Sequence, residues 1–159
     1  MNIVVGVDGS LGSRAALEYA AAEARRRSAA LTVVSVFYPP LLVAPYGVAA
    51  PMTDAEIAEE VRAETQRFID AVLGEHPTGQ PVRLIVLGDR SPAHALIRAA
   101  EDAELLVVGH RGLGAIGSAL GSVALRCVLH ASRPVTVVPP ARAVAPNQCL
   151  AESTATSGR

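Results

Sequence analysis

Short continuous apolar runs alternate along this chain with stretches in which apolar residues recur at helical spacing. The first run, Ile3 to Val7, has the length and uniformity of a strand buried on both faces. Ser10 to Ser28 is alanine-rich, and Ser10 stands where a helix cap is needed. Leu31 to Phe37 is a second β-branched run, after which Tyr38-Pro39-Pro40 opens a Pro- and Gly-containing connection to Met52. Thr53 or Asp54 then caps a helix whose stripe Ile57, Val61, Phe68 and Val72 leaves Glu59, Glu60, Arg62 and Arg67 on the other side. That helix ends near Gly74. Val82 to Leu87 reads as a third strand, and Ser91-Pro92 places a cap and an N1 proline before a helix reaching Ala100. Leu105 to Val108 is the fourth strand. Ser118 to His130 carries Leu120, Val123, Cys127 and His130 at helical spacing, and Pro134 to Val138 is a fifth short strand.

Strand and helix in strict alternation, with continuous apolar strands, predict a single doubly wound α/β domain: a parallel sheet with helices on both faces. We assign residues 1–139 to it. Residues 140–159 run through Pro, Ala, Ser and Thr without period and read as a disordered tail. Ligands of such sheets sit beyond the carboxyl ends of the strands, where strand order reverses. Two strand ends here are equipped for that, Val7-Asp8-Gly9-Ser10 and the segment from Gly109 to Ser122. In the second, Leu105-Leu106-Val107-Val108 empties into Gly109-His110-Arg111-Gly112-Leu113-Gly114-Ala115-Ile116-Gly117, and Gly121-Ser122 follows. Glycines let a backbone wrap an anion, while N–H groups and the next helix's N-terminus supply positive potential. The chain is therefore a candidate nucleotide binder.

Composition narrows the field. At 159 residues there is room for one domain with a real core. Half the residues are apolar, yet Arg, Pro and Gly interrupt every run well short of the roughly 20 residues of a membrane span. A soluble protein with no membrane partner is expected. The first residues enter a strand with no basic, apolar and small-residue leader pattern, so a cytoplasmic location is expected. A net charge of −1 and 3% aromatics argue against a nucleic-acid partner. All 14 basic residues are arginine, which removes Schiff-base chemistry and the phosphate-binding lysine of P-loops. Arg25-Arg26-Arg27 reads as a solvated helix end, where cations favour the dipole.

Reactive constellations are missing. Cys127 and Cys149 build neither a disulfide framework nor a thiolate metal site, and His76, His94, His110 and His130 show no ligand spacing. No G-x-S-x-G elbow or H-E-x-x-H occurs, so no enzyme is expected beyond slow hydrolysis of a bound ATP by water. Gly112 to Gly117 fits G-x-G-x-x-G, but the dinucleotide form belongs to the first βα unit and needs an acidic residue about 20 positions on. Thr136 to Val138 stand there instead, and NAD or FAD is set aside. Asp8 reads either as a helix cap or, as a carboxylate buried near the switch point, as an acceptor for ribose hydroxyls or a holder of a phosphate-bound metal. The second reading is preferred. For Arg111, a phosphate contact and a purely solubilising role stay equally open.

Ile3-Val4-Val5-Gly6-Val7-Asp8-Gly9-Ser10 with Ser13 and Ala16-Leu17, then Val107-Val108-Gly109-His110-Arg111-Gly112 and Gly121-Ser122, resembles the universal stress protein family over roughly residues 2 to 138. The resemblance implies a five-stranded parallel sheet of order 3-2-1-4-5. It also implies ATP, with Mg2+ as a companion, bound through a motif of the form G-x2-G-x9-G-[ST]. On that pattern Val7, Asp8 and Val36 would lie by adenine and ribose. Gly109, Gly112, Gly121 and Ser122 would hold ribose and phosphates, helped by N–H groups of Arg111 and Val123. Eight residues separate Gly112 from Gly121 where the motif has nine, and Ala124 stands where many ATP-binding members carry a hydroxyl. An open sheet leaves its last strand, Val135-Thr136-Val137-Val138, exposed unless another chain pairs with it, which predicts a homodimer. The function expected is an ATP-binding regulatory module of the stress response. The alternative is a dimeric interaction protein that works without nucleotide.

Overall fold

The computed structural model describes residues 1–39, 52–74, 81–111 and 120–139. Gly112, the G-x-G-x-x-G stretch, the connection from Pro40 and the tail 140–159 lie outside the described residues. The elements are β1 Asn2–Val7, α1 Leu11–Arg27, β2 Ala30–Phe37, α2 Asp54–Leu73, β3 Val82–Gly88, α3 Pro92–Ala99, β4 Leu105–Gly109, α4 Ser122–His130 and β5 Val135–Val138. All strands pair in parallel, in the order β3-β2-β1-β4-β5.

The continuous apolar strands are explained by two cores. Ile3, Val5 and Val7 point to one face and pack with Leu31, Val33 and Val107 under Ala16, Leu17, Ala20 and Ala24 of α1 and Ile69 of α2. Val4, from the same strand, points to the other face and meets Val34, Leu106 and Val108 under Leu96 of α3 and Cys127 of α4. Side chains alternate along a strand, so a strand covered on both faces must be apolar throughout. Fully burying a side chain such as Leu17 or Leu106 stabilises the fold by about 1.5–3 kcal/mol. Burial also pushes the Cys127 thiol up to about 11, which makes it a packing residue rather than a nucleophile.

The helix starts follow their sequence signals with one exception. Ser10 Oγ accepts from the N–H of Ser13 and Ser91 Oγ from that of His94, while Thr53 and Glu56 form a reciprocal capping box on α2. The exception is α4: its predicted start, Ser118, lies outside the described residues, Leu120 and Gly121 are not helical, and the helix begins at Ser122. Leu120 precedes this helix and packs on the second core from the loop, and His130 is exposed rather than part of the buried stripe. Gly121 is the cap, and it has no side chain to close the first turn.

The arginine triplet ending α1 is more engaged than a solvated end. Arg26 Nη2 donates to Glu23 at 2.6 Å, and Arg27 Nε donates to the same carboxylate, which is only 5% exposed. Arg26, with Arg27 adding to it, holds the Glu23 carboxyl below its ordinary 4.5. A carboxyl lowered on folding stabilises the protein above its unfolded pKa and loses that contribution as the pH falls through the folded value. Glu23→Gln should therefore flatten the decline in stability below pH 4.5, read by urea unfolding at a series of pH values. An unchanged pH profile would show that the clasp contributes nothing.

Candidate functional site

Beyond the carboxyl ends of β1, β2 and β4, where strand order reverses, lies a cavity of about 790 Å³. That is within the range of small-molecule sites, about 300–1,000 Å³. Val7, Asp8, Val36, Gly109, Arg111, Gly121, Ser122 and Val123 all line it. Every sequence-predicted site residue among the described ones thus reaches one cavity, although they come from four separate segments.

The first strand end is a tight turn. Asp8 is exposed, not buried as the sequence suggested, and its Oδ1 accepts the N–H of Ser10 at 3.1 Å. The cap of α1 is Ser10, so Asp8 shapes the turn and does not cap the helix. Gly9 follows at φ +79, a left-handed conformation that costs a glycine nothing.

At the second strand end the loop returns on itself. His110 donates its N–H to the Val138 carbonyl at 2.7 Å, and its own carbonyl accepts the Gly121 N–H at 2.9 Å. This pins both ends of the loop beside the edge strand. Because Leu125 is the first residue to donate back to Gly121, the N–H groups of Ser122, Val123 and Ala124 have no partner within the helix, and all three residues line the cavity. The Ser122 hydroxyl makes no hydrogen bond among the described residues. A helix end that lines a cavity with N–H groups lacking a partner in the helix, and with a hydroxyl not bonded among the described residues, is a natural anion cradle. The Arg111 side chain turns to its neighbour, Nε donating to His110 Nδ1 at 3.2 Å.

Residues 1–139 match the universal stress protein family model. The chain belongs to that family. A universal stress protein of Mycolicibacterium smegmatis is 36% identical over 140 residues, covering 86% of this chain and 47% of that protein. The chain spans about half the length of the mycobacterial relatives it matches. A Thermus aquaticus universal stress protein, 38% identical over 141 residues, is covered over 96% of its length and covers 86% of this chain. Among solved structures, a universal stress protein from Archaeoglobus fulgidus in complex with dAMP is 28% identical with a TM-score of 0.57, the match covering 87% of this chain and 97% of that one. The observed strand order is the order that the family resemblance implied.

Three features of the site were not read from the sequence. The first is the wall supplied by α2, where Val61, Glu64, Thr65 and Phe68 face the cavity. A signal existed: Thr65 falls in the gap of the stripe Ile57, Val61, Phe68 and Val72, and it is 7% exposed. A polar residue inside an apolar stripe marks a place where the buried face meets something polar. The second is Gly12, in the first turn of α1. A Cβ there would lie 2.0 Å from the Arg111 carbonyl oxygen, and one on Gly109 would lie 2.6 Å from the Gly12 carbonyl group. The third lies beside the cavity and not in its lining, a pair after β3: Asp89 Oδ2 lies 3.0 Å from His94 Nδ1, while Oδ1 accepts the Ser91 N–H at 2.8 Å. The Ser91 bond, with His94 adding to it, lowers the Asp89 carboxyl below its ordinary 3.8. Among the described residues no three His, Cys, Asp or Glu side chains gather to hold a metal ion. None of the described helices is long and apolar enough to cross a membrane.

Proposed function

We propose that this chain is an ATP-binding regulatory module of the stress response that acts as a homodimer and binds nucleotide rather than turning it over. The observation that carries this reading is the convergence on one switch-point cavity of Asp8, Val36, Gly109, Ser122 and the first turn of α4, whose N–H groups have no partner within the helix. The apolar part of the lining, with Val36 from the α3–α4 face of the sheet and Phe68 from the α1–α2 face, suits an adenine ring, and the α4 end suits phosphates. The dAMP complex of the Archaeoglobus relative supports an adenine nucleotide as the ligand class. Mg2+ would arrive with the phosphates, and Asp8 and Glu64, the two carboxylates among the lining residues, are the side chains that would hold it.

Calorimetry tests this directly. ATP should bind, and at 100 times its Kd it should add about 2.7 kcal/mol of stability. Gly121→Val, which puts a branched side chain into the cavity lining, should weaken ATP binding by about tenfold or more with the fold intact by circular dichroism. Unchanged ATP affinity in that variant would move the site elsewhere. Mass spectrometry of any small molecule that copurifies separates this reading from a nucleotide-independent dimer.

For the homodimer, support comes from the open edge. β5 ends the sheet, its residues are only half-buried, and the adjoining α4 leaves Leu125, Val128 and Leu129 exposed at 45%, 49% and 65%. A second copy pairing along β5 would cover the strand edge and bring that apolar surface towards its equivalent.

A further inference from the structure

A second cavity, of about 200 Å³, adjoins the first. Tyr38, Pro92, Ser122 and Val123 line both, so they meet at the α4 end, where the phosphates are assigned. What distinguishes the smaller cavity is charge: its remaining wall includes Arg90, from the turn after β3, and Arg126, one helical turn beyond Ser122. Neither arginine makes an ion pair or side-chain hydrogen bond among the described residues. The carboxylate beside Arg90, Asp89, does not line the cavity and is held by the Ser91 N–H and His94. Two guanidinium groups and the Ser122 hydroxyl, none of them paired or bonded among the described residues, therefore line a space too small for a drug-sized ligand.

We infer that Arg90 and Arg126 form a subsite for the terminal phosphates of the bound nucleotide, so that the site selects nucleoside di- and triphosphates over monophosphates. This rests on the adenine-nucleotide reading above. A monophosphate has a single phosphate, which the N–H groups at the start of α4 occupy from the first cavity, whereas a longer chain has further phosphates to place in the annex, where two planar donors match phosphate oxygens. Bridging from two elements, Arg90 and Arg126 also tie the β3–α3 turn to α4 when a polyphosphate is present.

The test is calorimetry with AMP, ADP, ATP and tripolyphosphate on the unaltered chain, on Arg90→Ala, on Arg126→Ala and on the double variant. Arg83→Ala/Arg133→Ala, which removes the same charge from the other end of the sheet, is the control. Glutamine variants at both annex positions guard against lost packing. The unaltered chain should hold ATP about tenfold or more tighter than AMP, and the double variant should lose that preference while AMP affinity stays put. The advantage of ATP should also shrink as salt rises. Equal weakening of AMP and ATP, no change in either, or an equal loss in the control would overturn the subsite. Should no adenine nucleotide bind at all, the adenine reading fails, and tripolyphosphate then decides the annex. Its binding, lost in the double variant, supports the subsite, and its failure to bind overturns it.

Discussion

Gly12→Ala should destabilise the protein by about 3 kcal/mol or more, at the upper end of the range for overpacked sites, with the loss read by urea unfolding. The new Cβ would stand 2.0 Å from the Arg111 carbonyl oxygen, and backbone cannot swing aside as a flexible side chain does. Gly109→Ala strikes the same contact from the other side, with its Cβ 2.6 Å from the carbonyl carbon and oxygen of Gly12. Since both substitutions open one interface, their effects should add to less than their sum. The contact also couples fold to site. Arg111 lines the cavity, and the first turn of α1 is its backstop, so relief of the clash must displace the strand end that faces the ligand. If Gly109 served only to admit an anion, Gly109→Ala would reduce nucleotide binding and leave stability untouched.

Val137→Pro should convert a dimer to a monomer, read by light scattering. On β5 the residues bonded to β4 are alternate ones: Leu106 donates to the Pro134 carbonyl and His110 to that of Val138. Backbone groups alternate in direction along a strand, so the N–H of Val137 points to the open edge. A proline at this position removes an edge donor and adds bulk there, while the β4–β5 ladder keeps its bonds. The folded protomer should survive, with unaltered circular dichroism. A dimer that persists would place the interface elsewhere, and the exposed Leu125, Val128 and Leu129 of α4 would be the next surface to alter.

How far the sequence could be read depended on whether a signal was local. The strands, three of the four helix starts and the caps Ser10, Thr53 and Ser91 rest on contacts within a few residues, and these were legible. The fourth helix was misplaced because Leu120 is apolar and falls at helical spacing from Val123 and Cys127. Leu120 instead packs on the core from outside the helix, because Gly121 is the cap and helical backbone begins only at Ser122. Position near the switch point suggests a buried Asp8, but in the structure it is exposed at the turn completed by Gly9.

By itself the sequence determined the element order, the two-sided apolar strands and the two glycine-bearing strand ends, because period and turn chemistry are properties of neighbouring residues. Only the tertiary structure decided that α2 walls the cavity, that Gly12 abuts Arg111, and that Arg90 and Arg126 flank one small space. Each of these joins residues far apart in the chain. Their distances are set by how the helices settle on the sheet, and no local pattern encodes that.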